Sequence, residues 1–337
     1  MDVHIVGLGP AGSVAAISAL RGGHEVYVSE KLPSAGKRTV CTGLISKQTL
    51  EFLKRYMDVE RIVLQRIKKA VLHFWNGQTM EIRHKEGAYV LDRKKMDCLL
   101  AKEVEKNGGF VRYNEKIREP SQYKSKNIIG ADGANSTVAE HFGFPKIEKL
   151  ALAATAKIDD EIVEKQSVHL YFNGYTRGFF SWIVDMGKKQ EVGCGVILPN
   201  NVYHAFEKFA RNIGIRAKPE ESAVIPLRAR KKTGAKIGGR NVLLVGDAAG
   251  HVKAFSGGGL AYGLRIAELS AEFIDNPSGY EQEWRRRYGL AMAQFDILQT
   301  INEIFPSALI GFGVWGLKIL CVERFLEGRK MDNPVGI

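Results

Sequence analysis

The chain has 337 residues, of which 49 are Lys or Arg and 37 are Asp or Glu, so its formal net charge at pH 7 is +12. Hydrophobic residues make up 45% and charged residues 26%, which excludes a wholly disordered chain. Gly is frequent at 36 and Pro rare at 10, but no triplet period is present, which excludes a collagen-like fibre. A chain of this length is expected to form about two domains.

The cysteines are scattered rather than paired. Cys41, Cys98, Cys194 and Cys321 form no CxxC motif, which argues against a disulfide scaffold, a zinc ribbon or an iron–sulfur protein and favours a reducing compartment. The histidines show no metal-ligand spacing, so we predict no metal site. No basic and apolar leader opens the sequence, so we expect a cytoplasmic protein without a signal peptide. Lys and Arg are spread along the chain without a nucleic-acid module, so we expect no nucleic-acid partner.

In chain order, the first predicted elements form a βαβ unit. Val3–Val6 is a short buried strand, residues 7–12 are a glycine-rich turn, and residues 13–20 favour a helix that ends before two glycines. Residues 25–30 form a second strand that ends on an acid. This order of elements is typical of a nucleotide-binding unit with a parallel sheet.

The remaining elements alternate between helical and β-rich blocks. The sequence predicts, in order, a helix over 47–57, strands over 67–90 around an Asn76-Gly77 hairpin, a helix over 93–107, a strand before Gly130, mainly strands over 150–198, a helix over 203–213, a strand over 242–245, a helix that ends near 274, a break over 276–279 and helix from 280 onward. A second glycine-rich turn follows the strand at 242–245, so a nucleotide-binding domain interrupted by a β-rich domain is predicted.

The first glycine turn has the spacing GxGxxG, with Gly7, Gly9 and Gly12 between strand and helix and Ala11 inside the turn. Gly7 permits the tight turn, Gly9 lets a pyrophosphate approach the backbone, and Gly12 lets helix and strand pack closely. The helix N-terminus offers free N–H groups to the phosphates. Glu30 can accept hydrogen bonds from a ribose, and its charge disfavours a 2′-phosphate. The turn predicts NAD or FAD, with a glycine turn that binds nothing as the alternative.

Two further motifs favour FAD. Residues 128–136 read Ile-Ile-Gly-Ala-Asp-Gly-Ala-Asn-Ser, and residues 242–251 read Val-Leu-Leu-Val-Gly-Asp-Ala-Ala-Gly-His. With the first glycine turn they resemble the three fingerprints of the para-hydroxybenzoate hydroxylase-like flavoprotein superfamily. The resemblance implies that Asp247, after Gly246, holds the ribityl chain of FAD and that Asp132 supports the fold between cofactor and substrate. Taken singly, each aspartate is also typical of an ordinary turn.

Two more segments complete the predicted flavin site. By the same resemblance, Arg93 matches an arginine that opens a helix near the flavin, although a surface arginine at a helix start has the same appearance. Residues 256–260 open a helix whose N-terminus, with Gly258, Gly259 and Leu260, would face the pyrimidine end of the flavin and stabilise the negative charge of its reduced form. A glycine-rich loop that only permits close packing is the alternative.

The motif order defines the predicted domain organisation. We predict an α/β fold in which a discontinuous Rossmann-like FAD-binding domain (1–65, 91–149 and 234–279) is interrupted by a mainly β substrate domain (66–90 and 150–233) and followed by C-terminal helices (280–337). The sequence shows one dinucleotide motif, so any NAD(P)H would bind transiently, and a ferredoxin-like carrier is an equal alternative as the external electron donor.

The loop after the second strand narrows the family. Residues 40–46 read Val-Cys-Thr-Gly-Leu-Ile-Ser, and with the glycine-rich helix start they resemble the geranylgeranyl reductase family over roughly residues 1–272. The resemblance implies an FAD enzyme that reduces isolated double bonds of long isoprenoid chains, with Cys41, Thr42 and Gly43 against the flavin. Cys41 either acts as a catalytic thiol that helps deliver a proton or packs as a small apolar residue. The sequence favours neither interpretation.

The substrate side departs from this family. Its aromatic motif Tyr-x-Trp-x-Phe-Pro corresponds to residues 180–185, Phe-Ser-Trp-Ile-Val-Asp, in which only the tryptophan matches, and Ala254 replaces a common proline. Phe180 and Trp182 are candidate walls of an apolar substrate tunnel, with ordinary core packing as the alternative. Two other functions stay open: a flavin-dependent monooxygenase or halogenase, and an electron-transfer flavoprotein.

An apolar segment lies near the end of the chain. Residues 304–322 carry a single charge, Lys318, and meet the lower limit of length for a membrane span. A span, a lid that contacts lipid and an ordinary packed helix pair are the alternatives. Arg324, Arg329 and Lys330 follow the segment and suit anionic headgroups, so peripheral contact with an anionic membrane is a further expectation.

Overall fold

A computed structural model of the protein describes residues 1–37, 40–176 and 178–304, apart from the side chains of residues 84 and 85. The strands of this part of the chain are β1 (Val3–Val6), β2 (Val26–Ser29), β3 (Leu44–Ser46), β4 (Val63–Phe74), β5 (Thr79–Leu91), β6 (Phe110–Arg112), β7 (Asn127–Gly130), β8 (Leu150–Ile158), β9 (Ser167–Phe172), β10 (Ser181–Asp185), β11 (Gln190–Ile197), β12 (Glu221–Pro226), β13 (Gly234–Ile237) and β14 (Arg240–Leu244). The helices are α1 (Pro10–Arg21), α2 (Lys47–Leu53), α3 (Arg93–Lys106), α4 (Thr137–His141), α5 (Val202–Asn212), α6 (Leu260–Ser270), α7 (Pro277–Trp284) and α8 (Leu290–Ile304).

The first sheet has six strands in the order β13-β14-β7-β1-β2-β6. All neighbours are parallel except β13, which runs antiparallel to β14 at one edge. The central strands β1, β2 and β7 are buried at every residue, as expected of a parallel sheet covered on both faces. Helix α1 packs between α3 and α6 on one face. Because β1, β2, β7 and β14 point the same way, the segments that follow them meet at one edge, where ligands bind in such sheets.

The second sheet has eight strands in the order β12-β8-β11-β10-β9-β4-β5-β3. One of its faces packs against α5 through Val192, Cys194 and Val196. The other face belongs to the same apolar core as α1 and α6, and Trp182 lies on it opposite Gly193 of β11. A Cβ on Gly193 would lie 2.2 Å from the Trp182 ring, so the missing side chain makes room for the indole. We call this second face the site face.

The structure confirms the predicted α/β fold, with a Rossmann-type sheet and a second, β-rich unit. The Asn76-Gly77 hairpin is confirmed, since Gly77 with φ +82° lies between β4 and β5. Strand β3, within the range predicted for the cofactor domain, pairs with β5 in the eight-stranded sheet. This strand carries the segment after Cys41 across to the second sheet.

Two helix boundaries were predicted wrongly. Helix α2 ends at Leu53 rather than at 57, and the following turn lets Tyr56 pack inward, where its hydroxyl lies 3.1 Å from that of Ser18. The predicted break over 276–279 is the start of α7. The Asn276 side chain accepts a hydrogen bond from the Gly279 N–H at 3.0 Å and Pro277 occupies the first turn, a good helix start.

The predicted apolar segment lies outside the described residues from residue 305 onward. Helix α8 follows a short π-helical segment, Arg285–Gly289, and is described from Leu290 to Ile304. Within the described ranges, no helix combines the length and the hydropathy that crossing a membrane requires.

Candidate functional site

The first glycine turn is packed tightly on one side and open at its middle. A Cβ on Gly7, which has φ +101°, would lie 2.5 Å from the Ala131 carbonyl oxygen, and one on Gly12 would lie 2.0 Å from the Gly7 carbonyl oxygen. A Cβ on Gly9 would meet no heavy atom within 4 Å. Helix α1 begins directly after it and has no acidic residue in its first turn. Backbone N–H groups and an open approach are what a phosphate needs.

Glu30 follows β2 and is buried at the same edge. One carboxylate oxygen accepts the Leu8 N–H at 2.8 Å, and the other accepts the Leu32 N–H at 2.8 Å. Each oxygen has a second lone pair for a ribose hydroxyl. Glu30 therefore fits the predicted ribose contact, and it also holds the glycine turn in place.

Asp132 follows β7 and lies against the glycine turn, with its Cα 3.0 Å from a Cβ placed on Gly7. Its Oδ2 accepts the Val138 N–H of α4 at 3.2 Å. Its Oδ1 is buried and has no hydrogen-bond partner among the described residues. Burial raises the pKa of this carboxyl, and a buried polar atom without a partner is unusual in a folded protein. A ligand hydroxyl or a water would satisfy it.

Asp247 follows β14 and lies in a recess of the protein. Protein atoms surround it closely, yet its side chain is exposed. A Cβ on Gly246 would lie 2.7 Å from the Ala11 Cβ, and one on Gly259 would lie 3.0 Å from Asp247 Oδ1. Burial raises the pKa of Asp247 overall, and the positive charge of Arg93 opposes this shift only in part. The glycine turn after β14, which contains Gly246, and the glycine-rich segment before α6, which contains Gly259, therefore meet the first turn of α1 around Asp247.

The glycine-rich segment at residues 256–260 leads into a helix whose N-terminus has no side-chain cap. Helix α6 begins at Leu260, with neither an acid in its first turn nor a side-chain cap. The Lys253 N–H donates to the Gly258 carbonyl at 3.1 Å, and a Cβ on Gly258 would lie 3.1 Å from the Lys253 side chain. This loop holds Gly258 and Gly259 beside the N-terminus of α6, as predicted for a contact with an anionic ring.

Arg93 and Cys41 are brought together, which the sequence did not predict. Arg93 opens α3, and its guanidinium contacts the Cys41 side chain and lies 3.2 Å from Asp97. Burial opposes the charge on Arg93, but the Asp97 carboxylate and Cys41 raise its pKa overall. The Gly43 N–H donates to the exposed Cys41 sulfur at 3.4 Å. Gly43 has φ +73°, and a Cβ there would lie 2.4 Å from the Leu91 carbonyl oxygen, so the loop follows α3 closely.

The next residue of this loop reaches the second sheet. The Thr42 hydroxyl donates to Glu191 Oε1 at 2.5 Å, and the Trp182 indole N–H donates to the same oxygen at 3.2 Å. Glu191 belongs to β11 and is 3% exposed. Burial raises the pKa of the Glu191 carboxyl overall, although the hydrogen bonds from Thr42 and Trp182 act in the opposite direction. One buried acid therefore joins the Cys41 loop to a predicted substrate residue.

The two predicted substrate residues are buried in an aromatic cluster. Phe180 stacks on Phe179 at 4.5 Å between ring centroids and meets Trp182 edge-on at 5.8 Å and Phe172 at 5.9 Å. Phe180 is 7% and Trp182 8% exposed. Both rings form part of the apolar core under the site face, and Trp182 reaches the loop through Glu191.

Sequence reasoning missed Glu191, although a pattern pointed to it. Along β11, Glu191, Gly193 and Gly195 alternate with Val192 and its apolar followers. This period of two gives the strand one apolar face and one face of glycines with a single acid. An acid on a fully buried strand marks either an ion pair or a functional site.

The residues present fit FAD. The open backbone at Gly9, the recessed but exposed Asp247 and the unpartnered Asp132 oxygen offer contacts for phosphates and hydroxyls. The buried Arg93 Nε also has no hydrogen-bond partner in the described part of the chain. Contacts join these groups in a series: Gly246 lies against Ala11 of the glycine turn, Asp247 feels the charge of Arg93, and Arg93 contacts Cys41. We call this series of groups the cofactor surface.

Comparisons with known proteins agree with this site. No family model matches the chain. The chain is 25% identical over 354 residues to a digeranylgeranylglycerophospholipid reductase from Methanococcus vannielii, covering 90% of this chain and 87% of the relative. It resembles the structure of a geranylgeranyl bacteriochlorophyll reductase-like protein from Thermoplasma acidophilum, with a TM-score of 0.76, 19% identity, and coverage of 91% and 89%. It also resembles a probable FAD-dependent monooxygenase from Pseudomonas aeruginosa, with a TM-score of 0.67, 15% identity, and coverage of 90% and 96%.

The fold is that of solved FAD-dependent flavoproteins, and the curated relatives include several reductases, so flavoprotein oxidoreductases are the class that the chain resembles. Within that class, the resemblance to geranylgeranyl reductases, indicated by the Cys41 loop and the glycine-rich helix start, is confirmed by the archaeal relatives.

Proposed function

We propose that the protein reduces carbon–carbon double bonds of a long isoprenoid lipid, with FAD as its cofactor. The observation that carries the proposal is the course of the loop at residues 41–43. Gly43 packs on Leu91 beside Arg93, and Thr42 bonds to Glu191 on the site face. The loop therefore joins the predicted cofactor surface to the apolar face of the second sheet. The name of the Methanococcus vannielii relative supports the same chemistry.

Each part of the cofactor surface has a proposed role. The turn around Gly9 and the N-terminus of α1 bind the pyrophosphate, and Glu30 binds the adenosine ribose. Asp247 binds the ribityl chain, and the α6 N-terminus at Gly259 stabilises negative charge at the pyrimidine end of the ring. Arg93 orients the Cys41 loop. When bound and reduced, FAD supplies the electron pair and one hydrogen of the reduction.

The site face of the second sheet is the proposed substrate wall. Trp182 and the aromatic rings beside it offer apolar contact to a prenyl chain, whose burial is favourable at about 25 cal/mol per Å². Gly193 and Gly195 let the Trp182 and Phe179 rings lie directly on β11, because a Cβ on either glycine would lie 2.2 Å from the ring that covers it. The protein would orient one double bond against the cofactor surface and keep water away from it.

We also propose the domain bounds of the protein and the source of its electrons. The cofactor domain would comprise residues 1–65, 91–149 and 234–279, with 66–90 and 150–233 as the substrate domain and 280–337 as the C-terminal region. An external donor, either a ferredoxin-like carrier or NAD(P)H, would re-reduce the flavin after each turnover.

Peripheral contact with an anionic membrane is proposed through α8. Its exposed apolar side chains, Leu290, Ile297, Ile301 and Ile304, recur at helical spacing along one side. The chain carries a net charge of +12, which favours anionic headgroups. Sedimentation with phosphatidylglycerol vesicles, but not with phosphatidylcholine vesicles, is the expected result. Equal sedimentation with both would contradict the electrostatic part of the proposal.

The function is tested with chemically reduced, FAD-loaded protein under argon and a geranylgeranyl glycerophospholipid. We expect a mass increase of two hydrogens for each double bond reduced, read by mass spectrometry of the extracted lipid. An oxidised-flavin sample is the control. Inactivity on a panel of prenyl lipids would overturn the proposed substrate.

A second candidate function is a flavin-dependent monooxygenase or halogenase, which the fold likeness to the Pseudomonas aeruginosa protein favours. Oxygen consumption coupled to turnover of a small aromatic substrate would move the assignment there. If reduced protein passes electrons to a quinone and neither lipid nor aromatic is altered, an electron-transfer flavoprotein is the correct class.

A further inference from the structure

Glu191 is a buried acid on the site face, and the proposed function so far gives it no chemical role. It lies on β11, opposite Val184 of β10 and Lys157 of β8. Its Oε1 receives hydrogen bonds from Thr42 and from Trp182, which come from the Cys41 loop and from the proposed substrate wall. No other described carboxyl makes hydrogen bonds to both of these regions.

The surroundings of Glu191 favour its neutral form. The charged groups that face it are Lys157 on the neighbouring strand β8 and Glu221 on β12, and their effects oppose each other. Among the described residues, no Lys, Arg or His forms a salt bridge with Glu191. A carboxylate buried without a paired cation is costly, so such groups tend to stay protonated. Burial accordingly raises the pKa of Glu191.

The proposed reaction needs one proton besides the hydride. Reducing a carbon–carbon double bond adds a hydride to one carbon and a proton to the other. The hydride and its electron pair would come from bound, reduced FAD, which the proposed external donor would then re-reduce. An acid within the site can supply that proton if apolar side chains keep water away from the double bond. Glu191 would become a carboxylate in this step and regain its proton from solvent after the product leaves.

Thr42 provides the path for that proton. Its hydroxyl can accept a hydrogen bond from neutral Glu191 while donating its own hydrogen onward. The 2.5 Å separation between Thr42 Oγ1 and Glu191 Oε1 is short enough for transfer. Thr42 directly follows Cys41, whose side chain contacts Arg93 on the cofactor surface. The proton would therefore arrive where loop, cofactor and double bond meet.

We propose that Glu191 holds the proton that double-bond reduction consumes and passes it through the Thr42 hydroxyl to the reaction site. This inference rests on the proposed function. Glu191 acts through Thr42, so it is a positioning and proton-holding residue, and the Thr42 hydroxyl would pass the proton to the reacting carbon. A purely structural alternative is that Glu191 only ties the Cys41 loop to Trp182.

The first measurement reads the proton itself and does not depend on turnover. Infrared difference spectra of the FAD-loaded protein, titrated with base, should show a neutral carboxylic acid band that disappears well above the ordinary carboxyl range of about 4. The band should be absent in Glu191→Gln and present in Glu221→Gln, which removes the neighbouring acid on β12. Asp132 and Asp247 can give bands of the same kind, so the wild-type and Glu191→Gln spectra are compared directly. Identical spectra above that range, or loss of a band only in Glu221→Gln, would overturn the proposal.

The second measurement is the single-turnover rate with pre-reduced flavin across pH. The wild-type rate should fall as pH rises through the pKa of Glu191, because only the neutral acid can give a proton. Glu191→Gln keeps an oxygen for Thr42 and Trp182 but has no acidic proton. It should bind FAD normally, react about 100- to 10,000-fold more slowly and lose that pH dependence. Thr42→Val should behave similarly, and Thr42→Ser should retain most of the rate.

The outcomes separate this inference from the proposed function. A wild-type protein that reduces no prenyl lipid overturns the function, and the proton delivery falls with it. An active wild type whose Glu191→Gln variant keeps its rate and pH profile overturns proton delivery alone and leaves the reductase intact. A variant that loses FAD or folds poorly, while Thr42→Val keeps the rate and pH profile, assigns Glu191 to the structural alternative.

Discussion

Asp247 and Glu30 are both predicted to bind the cofactor, but the protein uses them differently. Asp247 is exposed within its recess, whereas Glu30 already accepts two backbone N–H groups. Asp247→Ala should therefore weaken FAD binding by roughly 10- to 100-fold, the value of a hydrogen bond to a charged group, with little loss of stability in the FAD-free protein. Fluorescence titration with FAD measures the affinity, and Asp159→Ala at an exposed position is the control. Unchanged affinity would remove Asp247 from the ribityl contact.

Glu30→Ala should damage both properties. It removes the ribose contact and leaves the Leu8 and Leu32 N–H groups without their partner, at a cost of about 1–3 kcal/mol for each group left buried and unpaired. We expect a lower melting temperature before FAD is added as well as weaker FAD binding. Glu25→Ala, at an exposed position nearby, should change neither. A variant with full stability and weak FAD binding would show that Glu30 serves the ribose alone.

Cys41 should be the most reactive of the cysteines that the structure describes. It is exposed, and its side chain contacts the Arg93 guanidinium at the start of α3. Cys194 is buried, and burial raises its pKa to about 12. Brief treatment with iodoacetamide should label Cys41 first, as read by peptide mass spectrometry, and bound FAD should slow the labelling. Equal labelling of Cys41 and Cys194, or labelling of Cys41 that FAD leaves unchanged, would contradict its place at the cofactor surface.

At the scale of elements, the sequence predicted local structure well where local chemistry decides it. The Asn76-Gly77 turn, the glycine turn before α1 and helix α3 all depend on residues close in the chain. The end of α2 was missed because it depends on Tyr56 meeting Ser18, a contact between distant segments. The start of α7 was missed for a local reason, since Asn276 and Pro277 favour a helix start as strongly as a break.

Two glycines of the first turn should give opposite results when changed to alanine. Gly12→Ala places a Cβ 2.0 Å from the Gly7 carbonyl oxygen, so α1 must move away from β1 at a cost of about 1–3 kcal/mol or more. Gly9→Ala meets no protein atom within 4 Å and should leave the melting temperature nearly unchanged. Its methyl group would stand where the pyrophosphate approaches, so FAD affinity should fall at least tenfold. Normal FAD binding by Gly9→Ala would place the phosphates elsewhere.

The site is assembled from segments that lie far apart in the sequence. Motifs with a fixed spacing revealed the glycine turns, Asp132 and Asp247, because each motif is local. The bond between Thr42 and Glu191 joins residues 149 positions apart, and no local pattern states which strand faces the Cys41 loop. The contact of Arg93 with Cys41 likewise depends on how the loop before β3 packs against the start of α3. The candidate cofactor residues could therefore be named from the sequence, whereas their links to the second sheet needed the structure.

Because the proposed site draws on both sheets, FAD should protect segments that lie far apart in the chain. A ligand that binds only the folded protein stabilises it by about 2.7 kcal/mol at 100 times its dissociation constant. Hydrogen exchange with FAD should slow at residues 7–12, 41–43 and 258–260 together, and the melting temperature should rise. ADP is the matched control, since it fits the glycine turn but cannot reach the Cys41 loop, and it should protect residues 7–12 without 41–43. Protection by FAD confined to residues 7–12 would show that the flavin ring does not lie against the Cys41 loop, and the proposed reaction site would be wrong.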